Sequence, residues 1–167
     1  SINLSCTNTR LVLEGTKKII NKKEVSKNSK NTNENKLSTG HYKVGNPYTI
    51  AGKTYTPKLI SKYNEVGIAS WYGPKFHLKK TANGEIFDQD KVSAAHKTLP
   101  LPSIVKVTDL INERVIYLRV NDRGPFVNNR IIDFSKKAAI KFNFFKKGTT
   151  EVRVELIDSG PHLLEQK

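Results

Sequence analysis

The sequence predicts a mainly β protein: a compact barrel with one or two short helices, preceded by a small hairpin-like arm and a disordered tail. From residue 63 onward, short apolar runs recur between Gly, Pro and Asn residues, as expected of closely spaced strands. Only one segment carries the start and stop signals of a helix. The first 40 residues hold too few apolar side chains to form a packed core. Many short strands with one small helix are typical of a β-barrel.

The chain divides by composition into four expected parts. A low-complexity run of Asn, Lys and Ser at 21–39 is expected to be a disordered linker. Aromatic and turn residues return after it and indicate an arm that packs on the barrel. The parts are a tail with its linker at 1–40, the arm at 41–62, the barrel at 63–158 and a C-terminal tail at 159–167.

The strands are predicted from apolar alternation and flanking turns. The alternation is clearest near the C-terminus, where Val152, Val154 and Leu156 are separated by Arg153 and Glu155. The predicted strands are 42–44, 48–50 and 54–55 in the arm, and 66–72, 92–94, 104–109, 115–121, 131–132 and 151–157 in the barrel.

One helix is predicted at 136–142. Either Asp133 or Ser135 can cap its start, because both side chains can accept hydrogen bonds from the first turn. Asn143 can end the helix in the left-handed conformation that closes many helices.

The chain is strongly basic, with 29 Lys and Arg against 15 Asp and Glu and a net charge of +14. This excess indicates an anionic partner, such as a nucleic acid, an acidic membrane surface or an acidic polymer. The first 62 residues hold 12 basic and 3 acidic side chains, so much of the excess lies outside the predicted barrel. A nucleic-acid binder gathers its basic residues on one folded face, so this distribution argues against that class.

Several familiar kinds of site have no counterpart in the sequence. The four histidines and the single cysteine, Cys6, show no metal-ligand spacing. A phosphate-binding loop and a nucleophile elbow are also missing. We therefore expect no metal and no cofactor, and one cysteine allows no internal disulfide.

Three polar clusters each end a strand or turn on an ionisable residue. Taken singly, each has an ordinary structural interpretation. Glu85 would be a solvated turn carboxylate, Asp122 would pair locally with Arg123, and His96 would be bonded to backbone. The clusters are Thr81-Ala82-Asn83-Gly84-Glu85, Ala94-Ala95-His96, and Val120 to Phe126 continuing to Asp133.

Taken together, the clusters predict a catalytic cleft that joins Glu85, Asp122 and His96. A carboxyl near another carboxyl, or against apolar walls, is more easily held protonated and can act as a general acid. Cleavage of a glycosidic bond needs such an acid to protonate its leaving oxygen. Aromatic rings would add flat surfaces suited to sugars, although such residues more often belong to a core. The candidates are Trp71, Tyr72 and Phe126.

Five motifs in a fixed order resemble the rare lipoprotein A family of bacteria, over residues 41 to 157. This resemblance implies a six-stranded double-psi β-barrel and the activity of lytic transglycosylases. Such an enzyme would act endolytically on peptidoglycan strands stripped of peptides. It would cleave between N-acetylmuramic acid and N-acetylglucosamine and leave a 1,6-anhydro end. The motifs are GIASWYG, FHLKKTANGE, AAHKTLPLP, VNDRGPF and RIIDFS.

The resemblance also implies roles for individual residues. Glu85 matches the catalytic acid/base, which protonates the bridging oxygen and then accepts the proton of the C6 hydroxyl. Asp122 matches a second essential carboxylate that stabilises positive charge or orients the sugar and His96. Asp133 would brace the cleft, as would Arg123. The residues assigned to substrate binding are Trp71, Tyr72, Asn83, Arg123 and Phe126.

Three positions depart from the family pattern where a glycine is frequent. They are Leu78, which follows the FH pair, Glu113 in a hairpin turn, and Asn129 before RIID. Asn tolerates positive φ, so Asn129 is expected to cost little. Leu78 is expected to reshape one lip of the cleft.

Ile2, Leu4 and Ser5 precede Cys6 in a pattern that resembles the end of a bacterial lipoprotein signal. The alternative is a free cysteine on a tail. We expect a monomer in the periplasm, anchored to the outer membrane through Cys6 and acting on the cell wall, with a role in cell division. Two other classes stay open: an expansin-like barrel that binds glycan without cutting it, and a basic nucleic-acid binder.

Overall fold

The computed structural model describes residues 40–165. The predicted tail and linker, with Cys6, lie outside the described residues. Within residues 40–165, no helix combines the length and apolar character needed to cross a membrane. The elements are β1 (Tyr48–Ile50), β2 (Lys53–Tyr55), β3 (Asn64–Trp71), β4 (Ala94–His96), β5 (Ser103–Asp109), β6 (Val115–Asp122), β7 (Arg130–Phe134), α1 (Lys136–Lys141) and β8 (Thr149–Ser159), with 3₁₀ turns at Pro74–Phe76 and Pro161–Leu164.

Six strands close into a barrel in the order β3-β7-β4-β6-β5-β8. The pairs β3–β7 and β4–β6 are parallel, and the other pairs are antiparallel. Closure pairs every strand on both sides, which satisfies the backbone N–H and C=O groups that a sheet edge would leave open. The predicted six-stranded barrel is confirmed, and its strands begin and end within two residues of the predicted bounds.

The barrel core is built from the inward positions of alternating strands. Along β5, buried and half-buried side chains alternate over the whole strand. Val105 and Val107 of β5 are fully buried, as are Val152 and Val154 of β8. Burying one such side chain contributes roughly 1.5–3 kcal/mol relative to leaving it in water. The apolar alternation that predicts the strands is therefore also what holds the barrel closed.

The one α-helix among residues 40–165 is capped by Ser135. Its side-chain Oγ accepts a hydrogen bond from the backbone N–H of Ala138 at 3.2 Å. Of the two predicted caps, the serine is the one that forms. Asn143 follows the helix with φ 65°, the left-handed conformation that its sequence position predicts. The rings of Phe142 and Phe144 then pack 5.4 and 5.1 Å from that of Phe134.

The arm contains one hairpin. β1 and β2 pair antiparallel, and the turn between them places Ala51 at φ 48° and Gly52 at φ 77°. The strand predicted at 42–44 does not form: only Lys43 pairs, as an isolated bridge to Leu101 of the barrel. Those residues bond to the barrel rather than to the hairpin, so the prediction of an arm strand there is wrong.

All three positions where the family often has glycine adopt positive φ. Leu78 has φ 62°, Glu113 has φ 60° and Asn129 has φ 62°. Glycine reaches this region without steric cost, whereas a side chain is strained there. The backbone shape is therefore kept at all three positions while the residue type has changed. Asn129 carries the smallest penalty, because Asn tolerates this conformation better than Leu or Glu.

Candidate active site

A tight loop at residues 81–85 delivers Glu85 to the end of β6. The Thr81 N–H donates to the Glu85 carbonyl at 2.8 Å, and the Gly84 N–H donates to the Thr81 carbonyl at 2.9 Å. Gly84 has φ 89°, so the turn uses the conformation expected of the Asn-Gly pair. The Ala82 N–H donates to Asp122 Oδ1 at 2.9 Å, which joins the loop to the last residue of β6. The structure therefore brings the loops that carry Glu85 and Asp122 together.

Glu85 is surrounded by hydrogen-bond donors. Arg119 Nη2 donates to Oε1 at 2.7 Å, Asn121 Nδ2 donates to Oε2 at 2.7 Å, and Asn83 Nδ2 donates to Oε1 at 2.9 Å. The side chain is 16% exposed. Burial acts to raise the pKa of Glu85, but the bonds from Arg119, Asn121 and Asn83 outweigh it and lower the pKa overall. The surroundings therefore favour the ionised form of the Glu85 carboxylate.

Hydrogen bonds also fix the side chain of Asn83, which donates to Glu85. Its Oδ1 accepts from the Thr81 hydroxyl at 2.8 Å and from the Glu85 N–H at 3.2 Å. Asn83 is fully buried. Its amide is therefore used to hold Glu85, which differs from the substrate-binding role predicted for it.

Asp122 has the opposite electrostatic environment. Its Oδ1 accepts from the Ala82 N–H and, at 2.8 Å, from the Arg123 N–H, and no bond to Oδ2 is found among the described residues. Burial raises the pKa of Asp122, and the two backbone bonds and the Arg123 charge only partly oppose it. Its carboxyl is therefore more easily protonated than an ordinary aspartate. The two predicted carboxyls have pKa values moved in opposite directions.

His96 is buried, with 3% of its surface exposed. Its Nδ1 accepts from the backbone N–H groups of Thr98 at 3.2 Å and Leu99 at 3.1 Å. Nε2 therefore carries the proton, and it lies 2.9 Å from the hydroxyl of Tyr63. Burial, with the charges of Arg123 and Lys97, lowers the pKa of His96 to about 3. The ring is neutral at ordinary pH and its nitrogens bond to neither carboxyl.

Arg123 is bonded to backbone carbonyls instead of to Asp122. Its guanidinium donates to Val44 at 2.7 Å, to Leu99 at 2.6 Å and to His96 at 3.3 Å. These three bonds tie the start of the arm to the loop after β4. The predicted local salt bridge to Asp122 is replaced by the contact of Asp122 with the Arg123 backbone N–H.

Asp133 lies on β7 and accepts a hydrogen bond from the Ser70 hydroxyl of β3. Burial raises the pKa of Asp133, while the bond from Ser70 and the charges of Arg130 and Lys97 lower it in part. Tyr72 lies close enough to Asp122 and Asp133 for both charges to add to the burial that raises its own pKa. The ring of Tyr72 itself packs 4.4 Å from that of Phe87.

The predicted aromatic residues fall into two groups. Trp71 donates through Nε1 to the Phe145 carbonyl at 3.2 Å, and their rings lie 4.5 Å apart, so Trp71 packs against the segment after α1. Phe126 is 41% exposed and contacts the arm. Its ring lies 6.0 Å from that of Tyr48 and 5.6 Å from that of Tyr55. Phe126 is thus the exposed aromatic surface, whereas Trp71 belongs to the packing of the barrel.

Sequence reasoning missed Arg119 as a site residue and did not single out Asn121. Their signal is the strand period of two, because residues 119 and 121 lie on the same face of β6. Arg119 also donates through Nη1 to the Leu163 carbonyl at 2.7 Å, which fixes its guanidinium from the C-terminal 3₁₀ turn. Glu85 and Leu163 both lie far from Arg119 in the sequence, so residue spacing alone could not reveal them as its partners.

Within the described residues, ligand atoms of His77, Asp88 and Asp90 lie within 4.8 Å of one another. His77 Nδ1 accepts from the Gln89 N–H at 3.3 Å, and Asp88 Oδ1 accepts from the Asp90 N–H at 2.9 Å. These contacts account for the group as a loop held by its own backbone.

Residues 64–154 match the family model described as lytic transglycolase. The chain is 57% identical over 115 residues to the endolytic peptidoglycan transglycosylase RlpA of Campylobacter jejuni, covering 68% of this chain and 42% of that protein. The protein of the same name from Pseudomonas aeruginosa is 55% identical over 114 residues, covering 68% of this chain and 33% of its own length. That of Rickettsia typhi is 48% identical over 159 residues, covering 93% and 48%.

The chain therefore spans less than half the length of these three relatives. Among solved structures, it is similar to the Streptomyces papain inhibitor, with a TM-score of 0.47 and 21% identity over 57% of this chain and 96% of the inhibitor. The family match covers every barrel strand up to the middle of β8. The chain belongs to the lytic transglycolase family, and its resemblance to the rare lipoprotein A proteins is confirmed.

Proposed function

We propose that the chain is an endolytic peptidoglycan transglycosylase of the periplasm. It cleaves between N-acetylmuramic acid and N-acetylglucosamine in peptide-stripped glycan and forms a 1,6-anhydro end. The names of its relatives support this reaction class. The observation that carries the proposal is the pair formed by Glu85 and Asp122. Two carboxyls joined by one short loop have pKa values moved in opposite directions, as an acid and a base require.

Asp122 is the general acid in this mechanism. Its Oδ1 is fixed by two backbone N–H groups, which leaves Oδ2 to carry the proton. As the glycosidic bond breaks, that proton passes to the bridging oxygen and leaves with N-acetylglucosamine. Positive charge then develops at the anomeric carbon of the muramoyl sugar.

Glu85 is the general base. Its carboxylate is kept ionised by Arg119, Asn121 and Asn83, and a negative charge near the anomeric carbon stabilises the developing cation. It accepts the proton of the muramoyl C6 hydroxyl while that oxygen attacks the anomeric carbon. No water is consumed. Transfer of the proton from Glu85 to Asp122 through solvent restores both groups. The acid/base role that the sequence predicts for Glu85 alone is thus divided between the two residues.

His96 and Arg123 have supporting roles in this proposal. Each makes bonds to the backbone of the loop after β4, so they hold the frame in which Asp122 lies. The neutral His96 exchanges no proton with the substrate. Phe126, which is 41% exposed, offers the aromatic surface of the proposed site.

The proposal also covers where the protein lies in the cell and how it is anchored there. A peptidoglycan substrate places the chain in the bacterial cell wall compartment. Lipidation of Cys6, with attachment to the outer membrane, is supported by the sequence around that residue. Incorporation of labelled palmitate, lost in Cys6→Ser, tests this point. A monomeric state and a role in cell division are also proposed.

The test of the activity is a digest of glycan strands read by mass spectrometry. Intact sacculi and amidase-stripped strands are incubated with the protein, with Glu85→Gln and Asp122→Asn, and with Asp90→Asn as the control. Asp90 is an exposed carboxylate outside the site. We expect 1,6-anhydro products from stripped strands, unchanged in Asp90→Asn and reduced about 10²–10⁴-fold in the other two variants. Hydrolytic products would overturn the transglycosylase reaction. Binding to strands without any product would favour the non-catalytic barrel.

A further inference from the structure

Residues 40–44 form a short segment, here called the strap, that contacts three of the sequence motifs. The His41 N–H donates to the Asn83 carbonyl at 2.8 Å. Lys43 and Leu101 exchange backbone hydrogen bonds of 2.7 and 2.8 Å. The Val44 carbonyl accepts from Arg123, as described above. The strap precedes the residues that match the family model, so the family match assigns it nothing.

The strap reaches Glu85 at Gly40. A Cβ built on Gly40 would lie 2.6 Å from Glu85 Cγ and 3.2 Å from Glu85 Oε1. It would also lie 3.1 Å from Asn83 Nδ2, the atom that donates to Glu85. The Cα of Gly40 therefore packs directly against the carboxylate side chain. Only a residue without a side chain fits here, and its φ of 73° also favours glycine.

The strap holds the Glu85 loop at further points. Lys43 Nζ donates to the Ala82 carbonyl at 3.1 Å. A Cβ on Gly84 would lie 3.3 Å from His41 Nδ1, so His41 packs closely on the turn itself. Contacts to Ala82, Asn83, Gly84 and Glu85 thus come from one short segment. Such bonds fix a loop whose own sequence is polar and flexible.

We propose that the strap is a positioning element for Glu85, with Gly40 and Lys43 as its positioning residues. This inference rests on the proposed role of Glu85 as the general base. Packing of Gly40 keeps Glu85 within reach of its three donors, and these donors keep it ionised. A side chain at residue 40 would push Glu85 away from Asn83 and Arg119. The carboxylate would then lose hydrogen bonds, and its pKa would rise.

The chain offers a matched control for this test. Gly52 in the hairpin turn has φ 77°, close to that of Gly40, and a Cβ there would meet nothing within 4 Å. Gly40→Ala and Gly52→Ala therefore introduce the same methyl group at nearly the same positive φ. Only Gly40→Ala adds a clash with Glu85.

The experiment compares the full chain with both variants. The pKa of Glu85 is measured by NMR titration of its side-chain carboxyl carbon, and kcat/KM is measured on peptide-stripped glycan. In Gly40→Ala we expect the pKa of Glu85 to rise by about one unit and kcat/KM to fall at least about tenfold. In Gly52→Ala both quantities should stay at their wild-type values. Lys43→Gln should change both in the direction of Gly40→Ala, by a smaller amount, and Lys43→Arg should retain the wild-type values.

An unchanged Glu85 pKa in both Gly40→Ala and Lys43→Gln would overturn the inference. Equal shifts of the Glu85 pKa in Gly40→Ala and Gly52→Ala would also overturn the inference, because backbone strain alone would then explain both shifts. The titration needs no catalytic activity. A protein that cuts no glycan but shows the Gly40-dependent pKa would refute the proposed function and leave the strap as the element that positions Glu85. If Gly40→Ala does not fold, the Lys43 pair decides the question.

Discussion

Glu85 and Asp122 differ in the groups that surround their carboxyls. Three donors reach Glu85, including a guanidinium, whereas Asp122 receives two backbone N–H groups on a single oxygen. The donors around Glu85 lower its pKa. Burial raises the pKa of Asp122, because its two backbone bonds oppose that effect only in part. The family motif makes Glu85 the acid/base, whereas these surroundings favour our proposal that Asp122 carries the proton.

This assignment predicts the pH dependence of kcat/KM. Activity requires Glu85 to be ionised and Asp122 to be protonated. Activity should fall on the acid side as Glu85 takes up a proton and on the alkaline side as Asp122 loses its own. Replacing Arg119 with methionine removes the main cation from Glu85 and should raise its pKa, so the acid limb should move to higher pH. An acid limb that stays in place would contradict the role of Arg119.

His96 predicts a specific dependence of stability on pH. Its folded pKa is about 3, below the ordinary 6.5, so between these values the unfolded chain binds more protons than the folded protein. This part of the stability is therefore fully present above pH 6.5 and is lost as pH falls toward 3. In urea unfolding at pH 7 and pH 4.5, His96→Gln should lose less stability between the two conditions than wild type. An equal loss in both proteins would show that His96 is not the group responsible.

At the scale of elements, strands and the helix were predictable because their signals are local. Alternation predicts β8 within two residues at each end, and Ser135 and Asn143 act as the cap and the closing residue of α1. The site was only half predictable. Turn chemistry and motif order point to Glu85 and Asp122, but the bond from Arg119 depends on which strands are neighbours. The sequence predicts an arm at 41–62 that packs on the barrel, but the backbone bonds of the strap leave no side-chain pattern that would place it against Glu85.

The positive φ of Leu78 predicts that replacing this residue with glycine will stabilise the protein. Leu78 has φ 62° and is 67% exposed, so it is strained and buries little surface. Leu78→Gly should raise the free energy of unfolding by about 0.5–1 kcal/mol, the cost of the left-handed conformation less the added flexibility of glycine. Leu78→Ala keeps the strain and serves as the control in urea unfolding. A gain in Leu78→Ala as large as that in Leu78→Gly would refute this explanation.

At the scale of the whole molecule, the barrel depends on the arm for part of its site. The hairpin is fastened by Tyr55, which is 8% exposed and stacks 5.4 Å from Tyr48 and 5.6 Å from Phe126. The strap continues directly into this hairpin, so the packing of the arm and the position of Glu85 are linked through one segment. A barrel separated from residues 40–62 would keep Glu85 and Asp122 and lose the contacts that the strap makes with Glu85.

This linkage predicts the effect of Tyr55→Ala. Removing the buried ring should cost about 3 kcal/mol of stability, within the range for large-to-small changes at aromatic sites. Activity on stripped glycan should fall as well, although Tyr55 touches neither carboxyl in the described structure. Ile50→Ala changes an exposed residue of the same hairpin and is the control. If Tyr55→Ala loses stability but keeps full activity, the packing of the arm does not control the position of Glu85.

We propose that Asp122 supplies the proton to the leaving group and that Glu85 acts as the general base. A leaving group that needs no protonation distinguishes them, because general-acid assistance matters only for a poor leaving group. The measurement compares kcat/KM on natural glycan with that on an aryl glycoside of a short glycan ending in N-acetylmuramic acid. We expect Asp122→Asn to regain most of its lost activity on the aryl glycoside and Glu85→Gln to be impaired equally on both. Recovery of Glu85→Gln but not of Asp122→Asn would make Glu85 the acid and contradict the account.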